Sequence, residues 1–143
     1  LILDLPPHEA AANAELTSPD NPLAQIQLIA PTTPPERIPE IVRAGSGFIY
    51  CVSREGVTGE QSALATNIAE RVLEIRAHTG LPIAVGFGIS SPDQARTVAQ
   101  SADAVVVGSA IVKEIAKYGT QPDAPAKLEA FVRPLAEAAH TPG

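Results

Sequence analysis

The sequence predicts an α/β fold with a parallel sheet, and within that class a partial (β/α)8 TIM barrel of about five βα units. Three observations predict it. Short apolar runs alternate with helical patterns along the whole chain and no strong hairpin signal joins two of them, so the strands should be parallel. Glycine clusters close three successive runs at their C-terminal ends, where barrels carry their ligand loops. Of the 143 residues 45% are hydrophobic but only 3% aromatic, with no Trp or Met, so the core must be Ala, Val, Ile and Leu. That is the usual filling of helices packed on a parallel sheet.

The elements follow in order. Leu1–Leu5 is the first run, ended by Pro6-Pro7, and His8–Leu16 reads as a short Ala-rich helix. Thr17-Ser18-Pro19-Asp20-Asn21-Pro22 is a turn-rich break. Ile26–Ala30 is the second run, weakened by Gln25 and Gln27, and Pro34–Ala44 follows as a helix with Ile38, Ile41 and Val42 on one face. Phe48–Ser53 is the third strand. In Gln61–His78, the clearest helix, Leu64, Ile68, Val72 and Ile75 recur at three- and four-residue spacing. Gly80-Leu81-Pro82 stops it and feeds the strand Ile83–Val85. In Ser91-Pro92-Asp93-Gln94 a Ser N-cap, a Pro at the first helical position and a Gln three after the cap start a helix that runs to about Gln100. Ala104–Val107 is the fifth strand, Ala110–Lys117 a short helix, Gly119–Pro125 a loop and Ala126–Ala139 a last amphipathic helix.

By count alone, five parallel strands also suit an open doubly wound sheet; the glycine placement favours the barrel. No linker or low-complexity tract divides the chain, so residues 1–143 read as a single partial barrel domain. It opens without Met inside an apolar run, which leads to the expectation of a truncated sequence whose N-terminal strands are missing. Five strands of eight cannot close a barrel, so the isolated chain is expected to self-associate or remain partly molten.

A net charge of −6 argues against a nucleic-acid or anionic-membrane surface, and any anion must be held locally by backbone amides. One cysteine, Cys51, permits no internal disulfide and no cysteine-rich metal site; it reads as an inert buried thiol, and a reducing cytoplasm is the default location. No apolar run approaches a membrane span, and no signal peptide is expected. No metal site and no cofactor are expected. His8, His78 and His140 are scattered and suit surface or capping roles.

The chemistry-bearing signal is glycine. Gly56-Val57-Thr58-Gly59, Gly86-Phe87-Gly88-Ile89-Ser90-Ser91 and Gly108-Ser109-Ala110 each follow a strand, with Ser or Thr beside them. Glycine lets backbone N–H groups approach a ligand, and a following helix N-terminus adds its positive dipole end. Any one cluster is as well explained as a tight βα turn; three in register favour a phosphate monoester. Phe87, between two glycines at a strand end, is hard to explain as core, whereas Tyr50 suits either the barrel mouth or the core.

Together with Asp4-Leu5-Pro6, Ala30-Pro31-Thr32, Tyr50 and Ser53, and continuing through Ile111-Val112, these motifs occur in an order that resembles the tryptophan synthase alpha chain, from its fourth barrel strand to its C-terminus. The resemblance covers essentially the whole chain and implies aldol cleavage of indole-3-glycerol phosphate to indole and glyceraldehyde 3-phosphate, in tryptophan biosynthesis. It implies that Gly59, Gly88, Gly108 and Ser109 bind phosphate and that Tyr50 and Phe87 contact the rest of the substrate. Leu1, Leu3 and Ile29 would be apolar walls of the indole pocket. Arg54–Gly59 resembles a lid loop, with Arg54 and Gly56 in it and Thr58 ordering it. Asp4 matches a position near the lid and the interface with the beta chain, the implied partner.

The same resemblance implies that the general acid and base are carboxylates on earlier strands, so no catalytic residue is assigned to this chain. Glu55 lies in the lid, and Glu70, Glu74, Glu129 and Glu137 decorate helices as solvated faces. Alternatives are another phosphate-binding barrel enzyme, such as a sugar-phosphate isomerase, or a non-catalytic half-barrel that binds a phosphorylated metabolite.

Overall fold

The computed structural model describes Leu1, Glu9 and residues 17–18, 21–53, 61–86 and 88–140. The expected first strand, Leu1–Leu5, and most of the expected helix His8–Leu16 lie outside the described residues. Two-residue strands β1 (Thr17–Ser18) and β2 (Asn21–Pro22) pair antiparallel across the turn-rich segment. The sequence carries no alternating apolar pattern there, so this small ladder is not foreseen.

The main sheet has four strands, β3 (Gln27–Ile29), β4 (Ile49–Val52), β5 (Ile83–Gly86) and β6 (Ala104–Val106), in the order β3-β4-β5-β6 and all parallel. Between them run α1 (Ile38–Arg43), α2 (Gln61–Arg76) and α3 (Pro92–Ala99); α4 (Ser109–Tyr118) and α5 (Ala124–His140) follow β6. Strand order equals chain order without reversal. With right-handed crossovers, that order places every connecting helix on the same face of the sheet, as in a barrel and unlike a doubly wound sheet.

Register confirms the division into two faces. Ile29 pairs with Cys51, Cys51 with Val85 and Val85 with Val105, while Ile49 pairs with Ile83. These side chains form one core with Ile38, Ile41 and Val42 of α1, Ile68, Val72 and Ile75 of α2, Ala95 and Val98 of α3, and Leu135 and Ala138 of α5. Burying a branched aliphatic side chain completely is worth about 1.5–3 kcal/mol, so the wholly buried Ile29, Ile38, Ile49, Ile75 and Ile83 dominate this layer. The alternate residues Leu28, Tyr50, Ala84 and Ala104 pair across the opposite face, followed by Val52, Gly86 and Val106. That second face is less covered: Leu28, Tyr50, Val52 and Val106 are half-buried and Ala104 is exposed.

Two polar devices fix the ends of elements. Asp103, just before β6, accepts the Ile83 N–H at 2.8 Å and an Arg76 N–H at 2.9 Å through Oδ2, so it pins the start of β5 to the end of α2. The Ile83 hydrogen bond, with help from Arg76, holds the Asp103 carboxyl below the usual carboxylate range. At α3 the capping box forms as the sequence predicts: Ser91 Oγ accepts the Gln94 N–H, and Gln94 Oε1 accepts the Ser91 N–H. Pro35–Arg37 is a single 3-10 turn leading into α1, and Pro125 sits in the first turn of α5 rather than in the preceding loop. On the outer side of β6, a groove of about 560 Å³ runs between the strand and α5, lined by Ala102, Val105, Val107, Val132 and Ala136 among others.

Candidate functional site at the C-terminal rim of the sheet

Parallel strands in one sheet end at the same rim, and here the four ends bring together the segments after Ile29, Val52, Gly86 and Val106. The Ser53 N–H donates to Gly86 O at 3.0 Å, which carries β4–β5 pairing one step further toward that rim.

Tyr50 lies on the face away from the helices, because it pairs with Leu28 and Ala84 rather than with the core residues. Gly86 makes room for it. A Cβ on Gly86 would stand 2.8 Å from the Tyr50 hydroxyl oxygen, 2.8 Å from Val106 Cβ and 3.1 Å from Val106 O. The sequence treats Gly86 as the first residue of a glycine-rich loop; the structure makes it the last residue of β5, kept small by cross-strand packing.

Beyond it, Gly88 has φ of +74°, in the left-handed region that glycine occupies without penalty. The turn is anchored by Ile89, which is buried in the core. The amides that follow are used internally: Ser90 and Ser91 N–H both donate to Gln94 Oε1, at 2.9 and 3.2 Å. The N-terminus of α3 is therefore already capped.

The N-terminus of α4 is not. Gly108 occupies its N-cap position with no side-chain cap hydrogen bond, and no acidic residue falls in the first turn. Gly108 and Ser109 are exposed, and an added Cβ on Gly108 would meet nothing within 4 Å. The start of this ten-residue helix is therefore exposed and has no side-chain cap, with the dipole favouring an anion. Because β5 and β6 are neighbours, the Gly88 turn and the α4 N-terminus follow adjacent strands.

Of the residues singled out in the sequence, Gly88, Gly108 and Ser109 thus lie beyond the ends of adjacent strands, while Tyr50, the second residue of β4, reaches with its hydroxyl to Gly86 at the end of β5. Ile29 does not share the face of Tyr50. The two-residue period puts it in register with Cys51, and it is completely buried among Ile38, Ile41 and their neighbours. Leu1 is exposed. Leu3, Asp4, Arg54, Gly56, Thr58, Gly59 and Phe87 lie outside the described residues, as does Glu55.

Sequence reasoning misses one charged residue at this rim. Arg71, half-buried on α2, donates from one terminal nitrogen to Thr33 O at 2.7 Å and Ala30 O at 3.3 Å, and from the other to Glu74 Oε2. Its only sequence signal is its place among the core positions Ile68, Val72 and Ile75. Behind it, burial pushes the Cys51 thiol up to about 11, with the Arg71 charge pulling in the opposite direction. Among the described residues no cluster of three or more His, Cys, Asp or Glu side chains could hold a metal, and no helix is long and apolar enough to cross a membrane.

Known proteins share this arrangement. Residues 1–140 match the family model described as tryptophan synthase alpha chain. The alpha chain of Opitutus terrae is 50% identical over 136 residues, which is 94% of this chain and 51% of that protein. The alpha chain of Erythrobacter litoralis is 41% identical over 141 residues, 99% of this chain and 53% of that one. Among solved structures, a Mycobacterium tuberculosis tryptophan synthase chain superposes with a TM-score of 0.78 at 36% identity, covering 96% of this chain and 50% of that chain. The alpha subunit from Campylobacter jejuni gives 0.76 at 34% identity, covering 91% and 52%. The chain spans about half the length of the relatives it matches, and these matches do not favour a sugar-phosphate isomerase or an unrelated half-barrel. The sheet is therefore part of a TIM barrel, and the chain belongs to the tryptophan synthase alpha chain family, whose members are lyases.

Proposed function

We propose that this chain supplies the phosphate grip and part of the indole pocket of a lyase that cleaves indole-3-glycerol phosphate into indole and glyceraldehyde 3-phosphate. The observation that carries the reading is the uncapped, open N-terminus of α4 on the strand next to the left-handed Gly88 turn. Amides of Gly88, Gly108 and Ser109, joined by Gly59, would hold the phosphate, and the Ser109 hydroxyl would add a donor. Tyr50, on the inner face beside Gly86, would line the cavity together with Phe87, Leu1 and Leu3, whereas Ile29 serves the core. Arg54, Gly56 and Thr58 would belong to a lid that excludes water, and Asp4 to the contact with a beta chain that consumes the indole.

In the reaction a general acid protonates the indole ring carbon that carries the side chain. A general base removes a glycerol hydroxyl proton, the carbon–carbon bond between them breaks, and the hydroxyl-bearing carbon becomes the aldehyde. We assign both proton transfers to carboxylates outside these 143 residues, on strands that complete the barrel. On this reading residues 1–143 form one partial barrel domain, inactive alone, working in the cytoplasm. The test is a full-length chimera in which the N-terminal half of the Opitutus terrae relative precedes residue 1. Indole should form from indole-3-glycerol phosphate with the chimera and not with residues 1–143 alone. A folded chimera that binds the substrate but never releases indole contradicts the assignment.

A further inference from the structure

Arg71 joins parts of the rim that are far apart in sequence, 38 residues from Thr33 and 41 from Ala30. The segment it grips is already a closed turn: the Thr33 N–H donates to Ala30 O at 3.0 Å, and the Ala30 N–H donates to Thr33 Oγ1 at 3.0 Å. Closing the turn this way leaves the carbonyls of Ala30 and Thr33 both within reach of one Arg71 nitrogen. That nitrogen has two hydrogens, enough for both carbonyls, while the other terminal nitrogen is engaged by Glu74, which fixes the plane of the guanidinium. An ammonium has no such planar fork.

We infer that Arg71 is a positioning residue: its guanidinium fixes the loop after β3 at the substrate rim, beside the strand that carries Tyr50. The inference rests on the indole-3-glycerol phosphate reading above. Helix α2 does not need Arg71 to stay seated, because Ile68, Val72 and Ile75 are 4%, 2% and 0% exposed and hold it to the sheet. What Arg71 adds is the placement of residues 30–33. These follow directly on β3, whose Leu28 pairs with Tyr50. The geometry of a reacting site tolerates little displacement, about 1 Å costing as much as 100-fold in rate.

Arg71→Met keeps a long, helix-compatible stem and removes the fork. In the full-length chimera, kcat for indole formation should fall about tenfold, an intermediate displacement on that scale. The dissociation constant for inorganic phosphate should stay within about twofold, because Gly88, Gly108 and Ser109 follow other strands. Arg71→Lys, able to reach one carbonyl, should recover part of the rate. Amide exchange at Thr33 should accelerate in Arg71→Met whether or not the chimera turns over. If the parent chimera makes no indole but Thr33 exchange responds, the substrate reading fails and the clamp stands. The inference is overturned if Thr33 exchange is unchanged, if kcat stays within twofold of the parent, or if rate, phosphate affinity and melting temperature all fall together.

Discussion

An alanine at position 86 would set a Cβ 2.8 Å from both the Tyr50 hydroxyl oxygen and Val106 Cβ, and 3.1 Å from the Val106 carbonyl oxygen. The three neighbours differ in how far they can yield. The Tyr50 hydroxyl is the tip of a long side chain on a half-buried face and can swing outward. Val106 is β-branched, stiff at χ1 and fixed by the β5–β6 ladder, so its Cβ and carbonyl can move only with the strand. The strain therefore concentrates on the β5–β6 pair, and overpacking of this kind costs about 1–3 kcal/mol. At about 2–4 °C per kcal/mol for a chain of this size class, Gly86→Ala in the chimera should lower the melting temperature by about 2–12 °C. A double-mutant cycle by thermal denaturation locates the cause. Val106→Gly, which removes the clashing Cβ, should couple to Gly86→Ala by about 1 kcal/mol or more, and Tyr50→Phe by less. Unchanged melting on Gly86→Ala, or strict additivity with Val106→Gly, would refute the claim that Gly86 is kept small by its neighbours.

Three further perturbations separate the roles assigned to other residues. Ser109→Asp puts a carboxylate in the first turn of α4, which should stabilise the helix by about 0.3–1 kcal/mol while repelling phosphate, so phosphate affinity falls as melting temperature rises; a parallel fall of both in calorimetry would argue against an anion site there. Asp103→Ala removes the acceptor for Ile83 N–H and Arg76, a partly exposed arrangement worth about 1 kcal/mol, readable as a lower denaturation midpoint. Because the folded Asp103 carboxyl lies below its ordinary 3.8, its contribution is complete above that value and is lost as pH falls below it; a variant with unchanged acid unfolding contradicts this. The Cys51 thiol is raised from 9.0 to about 11, so its contribution is complete below pH 9 and is lost as pH rises between those values, a loss that Cys51→Ala should abolish in alkaline denaturation curves.

What could be read from the sequence was what is local. Ser91 and Gln94 announce a capping box because both partners lie within one turn, and the box is present. The spacing of Ile68, Val72 and Ile75 identifies the buried stripe of α2 for the same reason. Boundaries shift where backbone bonding, not side-chain type, decides. Phe48 belongs to the third apolar run, but its N–H donates to Ser46 O and the ladder starts at Ile49. Non-local features were hidden. The face that Tyr50 occupies depends on register with β3 and β5, which one strand's alternation does not fix, and the same register sends Ile29 into the core. The grip of Arg71 was invisible because its partners are main-chain carbonyls, which carry no signature in the amino-acid sequence.

The central claim is that the Gly88 turn and the α4 N-terminus hold the phosphate of indole-3-glycerol phosphate. The most direct measurement is a titration of the labelled chimera with that ester, followed by amide NMR shifts. The account predicts saturable shifts at Gly88, Gly108 and Ser109, reproduced in direction by inorganic phosphate, with Tyr50 moving only for the complete ester. Shifts confined to other strands, or none at Gly108 and Ser109 at saturation, would contradict it.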